Sequence, residues 1–197
     1  MDATDRRAIK LSYSLHGLQQ ATLRCEAAHW HRPEDAFTAA VEAVSWAVAL
    51  DCVLEDSTDD GRDPAAYKES RGRDPDGQTV IGMKFVRHHV HHAADLQDFV
   101  FAAAVVGNST SGFRAGWGWR PLPELEPLLD PAFTSGKGLY ATRLGGQSVL
   151  NTLLDANGWF SSLTPPLPQL PPDPAGVGRP TFQLPKRWPA IEGDRQT

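Results

Sequence analysis

The stretch PEDAFTAAVEAVSWAVALDCVL, residues 33–54, decides how the rest of the chain is read. Pro33 suits the first turn of a helix, where its missing N–H costs nothing, and Glu34 and Asp35 sit well at the positive end of the helix dipole. Beyond them, Phe37, Val41, Val44, Trp46, Val48, Leu50 and Val53 leave no broad polar face. A helix that is apolar nearly all round has to be surrounded, inside a bundle or at a subunit interface. The pattern predicts a helical fold built around residues 34–54.

Working outward, residues 6–30 contain no proline and one glycine, and Leu11, Leu15, Leu18, Ala21 and Cys25 recur every three or four positions. That period is a helix with one buried face. Residues 55–79 are rich in charge, glycine and proline and read as a polar loop, with Glu55, Asp56, Asp59 and Asp60 as a solvated acidic turn. A third helix is predicted over residues 79–96. In GFRAGWGWR, Phe113, Ala115, Trp117 and Trp119 alternate with Arg114, Gly116, Gly118 and Arg120. Alternation of this kind predicts a strand or ribbon that lies as a lid on the bundle, although such aromatics would also suit base stacking. Two more helices are expected near residues 135–144 and 148–163. Nine of the 16 prolines fall in residues 164–197, which should be extended, lying over the domain or hanging free. The expectation is a mainly α bundle over residues 1–163, with a small extended or hairpin insertion at about 107–131 and a proline-rich tail over 164–197.

Composition narrows the function. Of 197 residues, 41% are hydrophobic and 22% charged, which excludes wholesale disorder. The net charge of −5 argues against coating nucleic acid by bulk electrostatics, but leaves room for a local basic site. Residues 62–87 hold six cations, Arg62, Lys68, Arg71, Arg73, Lys84 and Arg87, against the four carboxylates of Asp63, Glu69, Asp74 and Asp76. That slight basic bias would line a cleft. Cys25 and Cys52 read as buried, reduced thiols. The opening MDATDRRAIK is charged where a signal peptide turns apolar, and the apolar run 99–106 is too short to cross a bilayer as a helix, so the protein is expected to be soluble and cytoplasmic.

One place is compositionally odd: His88, His89, His91 and His92 are four of the seven histidines and follow Arg87 directly. Three kinds of chemistry compete for them. On a helix, His88 faces the same way as His91 and His92, so the cluster could hold a metal, with Glu42, Asp51 or His29 as conceivable further donors. The imidazoles could equally be hydrogen-bonded and idle. The third is acid–base work on RNA, whose 2′-hydroxyl supplies the nucleophile. Such an enzyme needs a group of near-neutral pKa and a cation for the phosphorane, and histidine and arginine are those groups.

The segment Arg87-His88-His89-Val90-His91-His92 resembles the R-x4-6-H motif of HEPN domains, helical-bundle proteins of which many are metal-independent endoribonucleases of toxin–antitoxin, abortive-infection and CRISPR-associated systems. The resemblance covers about residues 6–96. It implies Arg87 as the phosphate-binding arginine, His92 as the catalytic histidine and His88 as a polar neighbour orienting the site, with His91 as the competing imidazole. It also implies RNA as substrate, a 2′,3′-cyclic phosphate product, no metal or other cofactor, a two-fold homodimer that brings two motifs together, and an antitoxin or other regulatory protein as partner. Ala94 stands where members modified by nucleotidyl transfer carry Tyr, so that modification is not implied. The alternatives are a non-catalytic helical module for RNA binding or dimerisation, and a metal-binding protein using residues 88–92.

Overall fold

The computed structural model describes residues 3–28, 33–56, 62–92, 96–106 and 113–170. Four helices come first: α1 (Ala3–Ala27), α2 (Pro33–Asp56), α3 (Pro64–Arg73) and α4 (Pro75–His92). A single turn, α5 (Leu96–Phe99), leads into an antiparallel ribbon of β1 (Val100–Val106) and β2 (Phe113–Trp119). Short α6 (Leu122–Leu125) and α7 (Lys137–Leu139) follow, α7 running into a π-helical turn at Tyr140–Leu144, and α8 (Val149–Ser162) closes the bundle. The fold is mainly α.

The helix α1 buries the stripe read from its spacing: Leu11, Leu15, Leu18, Ala21 and Cys25 are all in the core. Arg7 donates to the Val53 carbonyl at 3.1 Å and Arg24 pairs with Glu42 at 2.5 Å, so α1 and α2 run antiparallel. Between those contacts the Trp46 indole packs on Gly17, where a Cβ would lie 2.5 Å from the ring. Only glycine permits that approach. By length and composition α2 could cross a membrane, but 56% of its apolar window is buried within the protein, against α1, α4 and α8.

The ribbon pairs Val100 with Trp119 and Val106 with Phe113. Trp119 is fully buried and its Nε1 donates to Thr152 Oγ1 at 2.8 Å, pinning β2 to α8. Trp117 packs edge-on against Phe37 of α2, with ring centroids 6.1 Å apart. The lid anticipated from the alternation is therefore present, but its first strand is the apolar run at 100–106, ahead of the expected insertion.

Three expectations are corrected. Residues 55–79 are not a continuous loop, because α3 occupies Pro64–Arg73 and α4 begins at Pro75. Two Asp-Pro pairs start those helices. Asp63 accepts from Ala65 N at 2.9 Å, and Asp74 accepts from Asp76 N at 2.8 Å and Gly77 N at 3.2 Å, while Pro64 and Pro75 take first-turn positions. The third predicted helix starts four residues early, at Pro75; it is described as far as His92, residues 93–95 lie outside the described residues, and Leu96 begins α5. The predicted helix over 135–144 is a turn of α-helix followed by the π turn.

The first residues after α8 lie over the domain. Leu167 is buried, Arg62 donates to the Pro165 carbonyl, and Ser12 Oγ donates to the Pro168 carbonyl at 3.1 Å. Residues 171–197, most of the predicted tail, lie outside the described residues.

Candidate functional site

Two acids interrupt the apolar surface of α2, Asp51 and Glu55, one helical turn apart. Tyr67 and Arg71 repeat that spacing on α3, and Lys84 lies on α4 opposite them. Asp51 is completely buried; its Oδ1 accepts from the Tyr67 hydroxyl at 2.6 Å, and its Oδ2 takes the Arg71 guanidinium and the Lys84 ammonium, the latter at 2.9 Å. Glu55 pairs with the same two cations, with Arg71 at 2.6 Å and Lys84 at 2.7 Å. Two carboxylates and two cations thus form a closed quartet that ties α2, α3 and α4 together. The Arg71 guanidinium also lies 5.6 Å from the centre of the Tyr67 ring.

Burial alone would raise the Glu55 carboxyl, but the Lys84 hydrogen bond and the charges of Arg71 and Lys84 outweigh it and hold its pKa below the ordinary glutamate range. Burial would likewise lower Arg71 and Lys84, and the Asp51 charge reverses both, so each is held more firmly cationic. Tyr67 is raised by burial and by Asp51, which keeps its hydroxyl a donor.

Three members of the quartet, Glu55, Arg71 and Lys84, line an open cleft of about 560 Å³ between α2, α3, α4 and the segment 133–135. Its lining mixes charged and polar groups, Glu55, Arg71, Lys84, Arg87 and His88, with the less polar Val48, Cys52, Ile81 and Phe133. Convergent polar groups among apolar ones are what small-ligand clefts have in common.

Of the residues named from the sequence, Arg87 is exposed at this cleft and His88 lines it. The backbone of His91 and His92 completes α4, and their side chains lie outside the described residues, as does His29. His89 points the other way. It is fully buried among Phe85, Phe99 and Phe133, with ring centroids 4.5, 6.2 and 5.6 Å away. Neither of its ring nitrogens has a well-formed hydrogen bond, although the Phe133 backbone and the Asp130 charge lean weakly toward the protonated form. Burial first, then the neighbouring His88, pushes its pKa down.

His88 is held differently. Phe133 lies flat on its imidazole, with ring centroids 3.3 Å apart and planes 13° from parallel. The turn that delivers Phe133 is built locally: its amide donates to the Asp130 carbonyl at 3.2 Å, and Asp130 Oδ1 accepts from Ala132 N at 2.9 Å. Gly136, at φ 80°, then brings the chain against α4, where a Cβ would stand 2.9 Å from the Ile81 carbonyl oxygen.

Among the described residues no three of His, Cys, Asp and Glu converge as metal ligands. Asp51 is engaged in the quartet, and Glu42 holds Arg24 and accepts from Trp46 Nε1 at 3.3 Å. Of the cysteines, Cys25 is buried, its thiol pushed up to about 12 by burial, whereas Cys52 reaches the cleft. The basic bias over residues 62–87 resolves unevenly: Arg71, Lys84 and Arg87 reach the cleft, Arg62 is buried beneath the segment at Pro165, and Arg73 pairs with Glu69 at 2.5 Å.

Arg71 and Lys84 were anticipated only as members of a basic bias, and Glu55 and Phe133 escaped the sequence reading as cleft residues. Asp51 and Glu55, a turn apart in the apolar C-terminal half of α2, were a readable signal for a buried charge cluster. Comparison with protein-family models, curated proteins and solved structures finds no match for the chain.

Proposed function

We propose that this chain is a metal-independent endoribonuclease of HEPN type, acting as a cytoplasmic homodimer on RNA under the control of an antitoxin or similar partner. The observation that carries the reading is the convergence of Arg87, His88 and Lys84 on one open cleft. The arginine fork suits the non-bridging phosphate oxygens, while Lys84 behind it is held by Asp51 and Glu55.

In the reaction an imidazole takes the 2′-hydroxyl proton as the 2′-oxygen attacks phosphorus. The P–O2′ bond forms, the P–O5′ bond breaks, and a second imidazole returns a proton to the 5′-oxygen. The products are a 2′,3′-cyclic phosphate and a 5′-hydroxyl. Arg87 balances the charge that grows on the phosphorane. A dimer supplies the second imidazole from the partner motif.

Incubating the protein with mixed cellular RNA in excess chelator tests this. Cleavage should persist, and Arg87→Ala should slow it by about 10²–10³-fold, the usual cost of losing a transition-state charge partner. RNA that binds without being cut would instead favour a non-catalytic module, and cleavage abolished by chelator would favour metal chemistry.

A further inference from the structure

The motif resemblance gives proton transfer to His92 and leaves His88 a supporting role. We infer that His88, seated on Phe133, is the imidazole that faces the scissile phosphate. The inference rests on the ribonuclease reading and refines it.

Three observations carry it. His88 and Arg87 are adjacent on α4 and line the same cleft, one turn beyond Lys84, so imidazole, guanidinium and ammonium share its lining. His88 also has a built support: Phe133 covers one face of its ring at 3.3 Å, and Phe133 itself is stacked on the core residue Phe85, with centroids 6.3 Å apart. Finally, His89 is enclosed by aromatic rings and out of reach of a polymer. A proton-transfer group must keep a fixed direction toward the atom it serves, and a flat ring against one face fixes the imidazole plane.

Phe133 is thus a positioning residue. Among the described residues, the charged and titratable groups around His88 include Lys84, Arg87 and His89 on its own helix, Glu55 and Cys52 from α2, Arg71 from α3, and Asp130 in the turn before Phe133. Since Glu55 and Arg71 are locked in the quartet, the Phe133 ring is the neighbour whose removal alters His88 most simply.

The test compares cleavage rates of His88→Gln, His92→Gln, Phe133→Leu and Phe133→Trp proteins across pH, beside NMR of the histidine rings titrated with a 2′-O-methyl oligoribonucleotide, which binds and cannot be cut. His88→Gln should lose about 10²–10⁴-fold in rate, the range of a general acid–base group. Phe133→Leu should lose about tenfold, in kcat with KM little changed, and Phe133→Trp should restore the rate. The probe should shift the His88 resonances more than those of His92. A His88→Gln protein near wild-type rate, with His92→Gln inactive, overturns the inference and leaves the ribonuclease standing. If no RNA is cut, the function fails by itself: His88 resonances that move with the probe keep His88 as the phosphate-facing ring, and unmoved ones sink that too.

Discussion

Asp51 has no exposed surface and yet carries a charge, which the Tyr67 hydroxyl, Arg71 and Lys84 surround. Removing one member of such a buried set strands the others, at a typical cost of about 3–5 kcal/mol. Asp51→Ala should therefore lower the urea midpoint strongly, whereas Arg73→Ala, whose exposed pair with Glu69 is screened by water, should scarcely move it. His89 makes the pH dependence legible. Its folded pKa is depressed, so at neutral pH both states hold it neutral and nothing is lost. As pH falls below the ordinary histidine value, the unfolded chain binds a proton that the folded chain resists, and stability declines until the folded pKa is reached. Urea midpoints measured from about pH 7.5 to 5 should fall in the wild type and flatten in His89→Phe. The depressed carboxyl of Glu55 adds a decline of the same sign further into acid, lost in Glu55→Gln. These residue-level facts were only partly legible in the sequence. The histidine run stood out, but which imidazole is buried and which lines the cleft depends on where α4 meets Phe133, forty-odd positions away.

At the scale of elements, long periodic helices were readable and short ones were not. Leu11, Leu15, Leu18, Ala21 and Cys25 gave α1 because one period was sustained for about four turns, and the all-round apolarity of residues 34–54 gave α2. By contrast α3 buries only Tyr67 and Arg71, so hydrophobic spacing was silent and the Asp63-Pro64 start was its only mark. The strand β1 was hidden in an unbroken apolar run, which fits a strand and a buried helix equally well. The segment 130–136 depends on turn chemistry rather than burial. Gly136→Ala forces a side chain into the left-handed region and against the Ile81 carbonyl oxygen, and should cost about 1–3 kcal/mol in thermal unfolding. The same change should displace Phe133 and reduce RNA cleavage, linking the turn to the cleft.

For the whole molecule, the proposed chemistry asks for two copies. A single α4 offers one Arg87 and one motif, so sedimentation at micromolar concentration should give twice the 21.5 kDa chain mass, and a monomer there would count against the two-imidazole scheme. The bundle itself joins parts that lie far apart in the chain. Ser12 in the first helix reaches the Pro168 carbonyl across 156 positions, and Leu167 is buried beside that contact. A seam of this span has consequences for synthesis. While the chain is being made, the patch around Ser12 waits uncovered until residues 165–168 have emerged, so the earliest helix is among the last to be sealed. Shortening or tagging the chain near residue 165 therefore disturbs the beginning of the protein as much as its end.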